Sequence, residues 1–143
     1  MTLIWTAGHR AAVAAHGERG YPDEVCGLLI GERRAGEKVV REVVAVDNAW
    51  EQLDERRRRF MIEPEVILRE ERRARDAGRE ILGFYHSHPD HPARPSETDR
   101  EFAWPVYSYV IQSVAGGRAD TLASWTLRDD RSGYDAEEIV EEG

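Results

Sequence analysis

The stretch Gly83-Phe84-Tyr85-His86-Ser87-His88-Pro89 places two histidines one residue apart at the end of an apolar run. Side chains at positions i and i+2 of a β-strand point to the same face, so His86 and His88 can present their imidazoles side by side. Asp99 follows, and the loop over residues 89–95 can bring its carboxylate to a third position. Two nitrogens, one oxygen and an open fourth position are the usual arrangement of a catalytic zinc site. The pattern therefore favours a metal site over an unrelated pair of histidines.

The sequence Ser96-Glu97-Thr98-Asp99 also has a purely structural interpretation. Ser-x-x-Asp after a proline fits a capping box, in which Ser96 caps a helix and Asp99 occupies its third position. The two interpretations are compatible, because the start of a helix is a rigid place from which to aim a carboxylate. Ser96 could still offer its hydroxyl to a substrate oxygen.

Glu24 precedes a short apolar run over residues 25–31. An exposed glutamate in a turn is the simpler interpretation, and it is the one that the chain alone favours. A zinc hydrolase, however, needs a carboxylate that takes a proton from water and passes it to the leaving amine. Glu24 could supply this group if its strand lies beside the strand of His86. Cys26, in the same run, is expected to be a small core residue rather than a ligand or a redox switch.

The length of 143 residues suits one domain with one core. The formal net charge of −8 argues against a nucleic-acid partner, since phosphate binding needs a concentrated basic face. No apolar run is long enough to span a membrane, and the N-terminus lacks the pattern of a signal peptide. A single cysteine excludes an internal disulfide framework. These features predict a cytoplasmic protein without a membrane partner. A monomer or a homodimer is expected.

Helices and strands are interleaved along the chain, which predicts an α/β or α+β domain with a mixed central sheet. Predicted helices cover residues 7–18, 64–77 and 96–103, and predicted strands cover residues 25–31, 38–46, 57–62, 80–86, 106–114 and 120–127. The domain is assigned to residues 1–128. The acidic C-terminal tail over residues 129–143 is expected to be poorly ordered or to form an edge strand. Trp50, Trp104 and Trp125 are expected in the core or at its rim.

Two other hydrolase patterns compete for the same histidines. His86-Ser87-His88-Pro89-Asp90-His91 fits the H-x-H-x-D-H pattern of metallo-β-lactamase-like enzymes, but those domains need later histidine ligands and none follows His91. A cytidine-deaminase-type zinc site needs a P-C-x-x-C sequence, and Cys26 is the only cysteine. Both patterns are therefore disfavoured.

Taken together, Glu24, His86-Ser87-His88-Pro89 and Ser96-x-x-Asp99 resemble the motif of the JAMM (MPN-plus, Mov34) metalloproteases. The ten residues between His88 and Asp99 match the interval of that motif. Residues 22–31 (PDEVCGLLIG) are similar to a stretch of the small bacterial members, as are Asp47-Asn48-Ala49 and Arg59-Phe60-Met61-Ile62. The resemblance extends over about residues 7–127, which is nearly the whole domain.

The resemblance implies a role for each of five residues. His86, His88 and Asp99 would bind Zn²⁺, Glu24 would be the general acid and base, and Ser96 would stabilise the oxyanion. Because the chain keeps all five residues, a competent metallopeptidase is expected. The implied fold is a curved mixed β-sheet flanked by helices, similar to the cytidine-deaminase-like architecture.

The resemblance also implies a substrate. Small bacterial relatives act on ubiquitin-like sulfur-carrier proteins and remove a residue or peptide after the carrier's C-terminal Gly-Gly. The chain lacks the long insertions of the eukaryotic isopeptidases, so the bacterial role is the expected one. A non-catalytic binding or scaffold module of the same fold is the alternative.

Overall fold

An eight-stranded β-sheet forms the centre of the fold in the computed structural model, which describes residues 1–142. Its strands, in chain order, are β1 (Thr2–Thr6), β2 (Cys26–Arg34), β3 (Glu37–Val46), β4 (Glu80–Pro89), β5 (Ser108–Ala115), β6 (Arg118–Leu127), β7 (Tyr134–Glu137) and β8 (Ile139–Glu142). The α-helices are α1 (Ala7–Gly20), α2 (Pro64–Asp76) and α3 (Glu97–Phe102), and a short 3₁₀ helix covers Leu53–Glu55. Of the helices described, none has the length and apolar character that crossing a membrane requires.

The sheet is mixed in strand direction. Its strands lie in the order β7-β6-β5-β4-β2-β3-β1-β8. The pairs β4/β5, β1/β3 and β1/β8 are parallel, and the other neighbours are antiparallel. The β5–β6 hairpin turns at Gly116 and Gly117, whose φ angles are 58° and 90°. Positive φ at both central residues favours a turn whose twist matches that of the paired strands.

The sheet also curls until its two edges approach each other. Only Glu138 separates β7 from β8 in the chain, yet these strands lie at opposite ends of the sheet. Because consecutive Cα atoms are only about 3.8 Å apart, the two edges must meet closely at this point. A buried ion pair between Lys38 Nζ and Glu137 Oε2, 3.2 Å apart, ties β3 to β7. The prediction of a curved mixed sheet flanked by helices is therefore confirmed.

The two faces of β4 belong to different environments. Tyr85 packs into a core that includes Val13 of α1, whereas Phe84 packs beside Ile67 of α2. Side chains two residues apart in a strand share a face. His86 therefore projects from the face of the sheet that carries Phe84 and α2, beyond the end of that smaller core.

The strand predicted over residues 57–62 is wrong. Part of this segment forms a turn, and no strand pairing is assigned to it. The Met61 amide donates to Asn48 Oδ1 at 3.2 Å, and the Met61 carbonyl accepts from the Ala49 amide at 2.8 Å. Its hydrogen bonds thus go to a side chain and to loop backbone, which holds the segment against the strand ends instead of within the sheet.

The acidic tail contributes a strand to each edge of the sheet. β7 pairs with β6, and β8 pairs with β1. Of the two expectations for the tail, edge strands are what the structure shows through residue 142. Residues 1–128 and the described part of the tail therefore contribute strands to the same sheet.

Candidate metal centre and active site

His86 and His88 lie near the end of β4, which continues beyond its predicted end at residue 86 to Pro89. Both side chains are buried, and their Nε2 atoms are 3.1 Å apart. Asp99 lies in the first turn of α3, which follows the loop over residues 90–96. Its Oδ2 lies 3.1 Å from His88 Nε2, and its Oδ1 lies 3.3 Å from His86 Nε2. The structure thus brings the three predicted ligands together.

The spacing of these atoms fits a zinc ion. Tetrahedral zinc with bonds of about 2.0–2.1 Å holds its ligand atoms about 3.3 Å apart. The His86–His88 and His88–Asp99 Oδ2 separations of 3.1 Å are close to that value, and His86 Nε2 lies 3.3 Å from the other carboxylate oxygen, Oδ1. Two imidazole nitrogens and one carboxylate also form a donor set that zinc accepts, with the three protein ligands typical of a catalytic site.

Asp99 is held by a capping box at the start of α3. The Ser96 amide donates to Asp99 Oδ2 at 2.8 Å, and the Asp99 amide donates to Ser96 Oγ at 3.1 Å. Burial alone would raise the pKa of Asp99, but the His86 and His88 rings and the Ser96 amide hold it well below its ordinary value. Capping and ligand placement therefore coexist. Ser96 itself is exposed, and its hydroxyl hydrogen is not needed for the cap.

The two imidazoles are oriented by different contacts. His88 Nδ1 lies 2.9 Å from the Pro92 carbonyl oxygen, a contact that requires the proton on Nδ1 and leaves the Nε2 lone pair free. The His86 ring stacks on Phe60, with ring centroids 4.6 Å apart and planes 25° apart. His86 Nδ1 is buried, and no partner for it lies within residues 1–142. Packing rather than a hydrogen bond therefore orients His86.

Glu24 is buried beside these ligands and is not the exposed turn residue that the chain alone favours. Cys26, two residues later, is the register partner of His86, so the strand that follows Glu24 lies directly beside β4. Glu24 Oε1 has no hydrogen-bond partner within the described residues. Burial, and then the charge of Asp99, raise the pKa of Glu24 to about 9. An unpartnered buried carboxyl of this kind is characteristic of functional sites.

Asn48 and Ser87, for which the sequence predicts no role, hold the segment around Glu24 in place. Asn48 Nδ2 donates to the carbonyl oxygens of Glu24 and Arg59, both at 3.0 Å. Ser87 lies between the two histidines on β4, and its Oγ accepts from the Val25 amide at 2.8 Å. This hydrogen bond attaches the residue after Glu24 to β4. Asn48 lies in the segment 47–49, which is similar to a segment of the small bacterial JAMM members. That similarity was the only feature of the sequence that pointed to Asn48.

An apolar groove of about 340 Å³ opens beside Glu24, His86 and Asp99. Aromatic side chains line much of it, and these are Trp50, Phe60, Phe84, Phe102, Trp104, Tyr107 and Tyr109. Phe102 and Trp104 are 67% and 63% exposed. Trp104 was expected in the core or at its rim, but it is largely exposed and lies on a concave apolar surface next to the candidate ligands. A larger depression of about 1000 Å³ lies elsewhere and contains none of the five candidate residues.

Cys26 is fully buried, as expected of a small core residue. Burial, and then the charges of Glu24 and Asp47, raise the pKa of its thiol to about 12. The thiolate that would act as a nucleophile or ligand is therefore disfavoured.

Comparison with known proteins gives a consistent result. A family model described as prokaryotic homologues of the JAB domain matches residues 6–128, which include all five candidate residues. The chain is 36% identical over 129 residues to the desampylase of Haloferax volcanii, with 87% of this chain and 88% of that protein covered. It is 30% identical over 133 residues to the CysO-cysteine peptidase of Mycobacterium bovis, with 92% and 86% covered.

A solved structure with the same architecture extends this comparison. The solution structure of protein DSY2949 from Desulfitobacterium hafniense matches with a TM-score of 0.83 and 32% sequence identity. The match covers 99% of this chain and 93% of the other.

Proposed function

The chain belongs to the family of prokaryotic homologues of the JAB domain, and from this premise we propose that it is a zinc-dependent metallopeptidase of the JAMM type. Its proposed substrate is a ubiquitin-like sulfur-carrier protein. The proposed reaction is hydrolysis of the peptide or isopeptide bond that follows the carrier's C-terminal Gly-Gly.

One observation carries the metal assignment. His86 Nε2 lies 3.1 Å from His88 Nε2 and 3.3 Å from Asp99 Oδ1, and His88 Nε2 lies 3.1 Å from Asp99 Oδ2, so the three side chains are close enough to share one zinc ion. Each ligand is positioned by an interaction that does not use the ligand atom itself, except that Asp99 Oδ2 also accepts from the Ser96 amide. Such prior orientation of the ligand side chains favours zinc binding.

Zinc, when bound, would supply Lewis acidity that polarises a carbonyl and makes a water molecule nucleophilic near pH 7. Glu24 is the proposed proton carrier in this reaction. Its carboxylate accepts the proton of the attacking water and transfers it to the leaving amine nitrogen as the bond breaks. The free Oε1 atom supports this role, because no protein hydrogen bond has to break first. Positive charge among the three ligands would lower the raised pKa of Glu24 towards the working range.

Ser96 is the proposed oxyanion donor. Its Oγ accepts from the Asp99 amide, an interaction that fixes the oxygen while the hydroxyl hydrogen remains available. This hydrogen can be donated to the carbonyl oxygen of the substrate as negative charge develops on it. Stabilisation of this kind typically contributes about 100-fold in rate.

The names of the relatives support the substrate class. One relative is a desampylase and another is a CysO-cysteine peptidase, and each alignment covers more than four-fifths of both proteins. The apolar groove beside the ligands also offers an extended peptide a surface along which it could lie.

The test combines metal analysis with cleavage. Ubiquitin-like carriers that end in Gly-Gly would be extended by one cysteine, or joined to a lysine side chain, and incubated with the zinc-loaded protein. Mass spectrometry should find the carrier released with a free Gly-Gly terminus, and chelation should abolish this release. Tight carrier binding without any cleavage would support the non-catalytic binding module instead.

A further inference from the structure

Three successive carbonyl groups of the loop between β4 and α3 are each held by a side chain from a different strand. Ser113 Oγ, on β5, donates to the carbonyl of His91 at 2.6 Å. His88 Nδ1, on β4, lies 2.9 Å from the carbonyl of Pro92. Trp125 Nε1, on β6, donates to the carbonyl of Ala93 at 2.9 Å. Neighbouring strands of the sheet thus hold the loop at three consecutive residues.

The middle contact is the one that matters for the candidate metal ligands. The Pro92 carbonyl accepts the proton of His88 Nδ1, so its position sets both the tautomer and the orientation of the His88 ring. Because Pro92 lies between His91 and Ala93, the contacts of Ser113 and Trp125 restrain its carbonyl from both sides. The Arg94 amide also donates to the Pro92 carbonyl, at 2.8 Å. This donor lies within the same loop, so a shift of either flanking peptide would still move the carbonyl relative to His88.

The two contacts made by Ser113 and Trp125 are partly shielded from water. Ser113 is 5% exposed, and Ala93 is 6% exposed. A partly buried carbonyl that loses its donor is only partly compensated by water, so each contact restrains the loop more than a fully exposed hydrogen bond would. Ser113 is also the register partner of His88 on the adjacent parallel strand, which fixes its distance from the ligand.

The start of the loop is anchored separately. Asp90 has a positive φ of 58°, and its carboxylate accepts from the Tyr21 hydroxyl at 2.6 Å and from the Gly116 amide at 2.8 Å. Loss of a contact at residue 91 or 93 therefore leaves the end of β4 in place. The effect of such a loss should be confined to the segment that carries the Pro92 carbonyl.

We propose that Ser113 and Trp125 are positioning residues for the metal-dependent reaction, because they hold the Pro92 carbonyl that orients His88 toward the ion. The proposal rests on the zinc peptidase function proposed above. Neither residue touches the candidate ligand atoms, and neither belongs to the motif by which the family resemblance was identified.

The experiment uses Ser113→Ala, Trp125→Phe and the double variant. Ser124→Ala is the matched control, since it also removes a buried hydroxyl donor, whose partner is Glu137 Oε1 at 2.8 Å. Ser124 precedes Trp125 in β6, so its side chain points to the opposite face of the strand. Zinc affinity would be measured by competition with a chelator of known affinity. The tautomer of His88 would be read from imidazole nitrogen chemical shifts in the metal-free protein. Steady-state kinetics of the zinc-saturated enzyme would separate kcat from KM.

Each single variant should weaken zinc binding about 10-fold, the lower end of the range for partners of metal-binding histidines, and the double variant should weaken it further. His88 should change from a single tautomer to a mixture, and kcat should fall more than KM changes. The Ser124→Ala control should leave zinc affinity and the His88 tautomer as in the parent protein.

Zinc affinity within twofold of the parent protein, with an unchanged His88 tautomer, would overturn the proposal even if thermal stability fell. Should Trp125→Phe not fold, Ser113→Ala decides by the same two measurements. A parent protein that binds zinc but cleaves no carrier would contradict the proposed function and leave this test intact. The tautomer comparison needs no zinc and therefore also survives a failure of the metal assignment.

Discussion

Ser96 and Asp99 form a reciprocal pair, in which the Ser96 amide donates to Asp99 Oδ2 at 2.8 Å and the Asp99 amide donates to Ser96 Oγ at 3.1 Å. The same carboxylate lies 3.1 Å from His88 Nε2. One local interaction therefore both begins α3 and directs a carboxylate at the two histidines. The capping interpretation and the proposed metal interpretation are therefore both compatible with the same geometry.

Replacement of His88 by alanine should reduce zinc from about one ion per chain to nearly none, because two ligands rarely retain a catalytic zinc ion. Elemental analysis after dialysis measures this directly. His91→Ala is the matched control, since His91 is exposed in the adjoining loop and should leave the metal content unchanged. A stoichiometric zinc content in His88→Ala would remove His88 from the ligand set.

Replacement of Glu24 by glutamine should leave the zinc content unchanged and reduce cleavage by about 100-fold or more, since the amide cannot carry the proton. The neighbouring Asp23→Asn is a suitable control, because its side chain makes no hydrogen bond or ion pair within residues 1–142. Mass-spectrometric progress curves on an extended carrier provide the comparison. Full activity in Glu24→Gln would exclude Glu24 from the mechanism.

The raised pKa of Glu24 makes the stability of the metal-free protein depend on pH. Burial raises this pKa from 4.5 to about 9, so the folded protein binds the proton more tightly than the unfolded chain does. The resulting stability is fully present below pH 4.5 and is lost progressively as the pH rises to about 9.

Glu24→Gln does not titrate, so in chelator it should gain stability relative to the parent protein between pH 5 and pH 8. We expect a gain of about 1–3 kcal/mol, measured by urea unfolding at both pH values. A difference that stays constant across this range would show that Glu24 is not desolvated in the metal-free fold.

Ser96 can be tested for its two roles separately. Ser96→Gly should cost only a few tenths of a kcal/mol of capping energy, because glycine is tolerated at the N-cap position. It should nevertheless lower kcat by about 100-fold through loss of the oxyanion donor. Ser96→Thr keeps both the cap and the hydroxyl and should retain most of the activity. Equal rates for the glycine and threonine variants would refute the oxyanion role.

Cys26 should be inert in the folded protein. Its thiol is buried, and its pKa is raised to about 12, so very little thiolate is present or accessible at pH 8. Iodoacetamide should label the chain only after denaturation, as judged by intact mass. Rapid stoichiometric labelling of the native protein would contradict the buried placement.

Much of the candidate ligand set could be predicted because it is encoded locally. The spacing of His86 and His88 within one strand needs only the two-residue period of β-structure, and the Ser96–Asp99 pair needs only the geometry of a helix start. The strand predicted over residues 57–62 is wrong because the structure of this segment depends on contacts that are not encoded locally. Its alternating pattern suits a strand, but its hydrogen-bond partners include Asn48 and Ala49, which strand periodicity cannot reveal.

Other contacts of the site join residues that are distant in sequence. Trp125 donates to the Ala93 carbonyl across 32 residues, and Phe60 stacks on His86. These contacts depend on how the sheet curls and on which loop crosses its end. No local pattern in the sequence reports either of these.

By itself, the sequence determined the chemical types of the candidate groups, namely two imidazoles and a carboxylate at intervals that allow convergence, together with the alternation of strands and helices. Only the tertiary structure decided that Glu24 is buried and that an aromatic groove lies beside it. The physical reason is that spacing along the chain restricts nearby side chains directly. Burial, pKa and contacts between distant segments depend instead on which surfaces pack together once the whole sheet has formed.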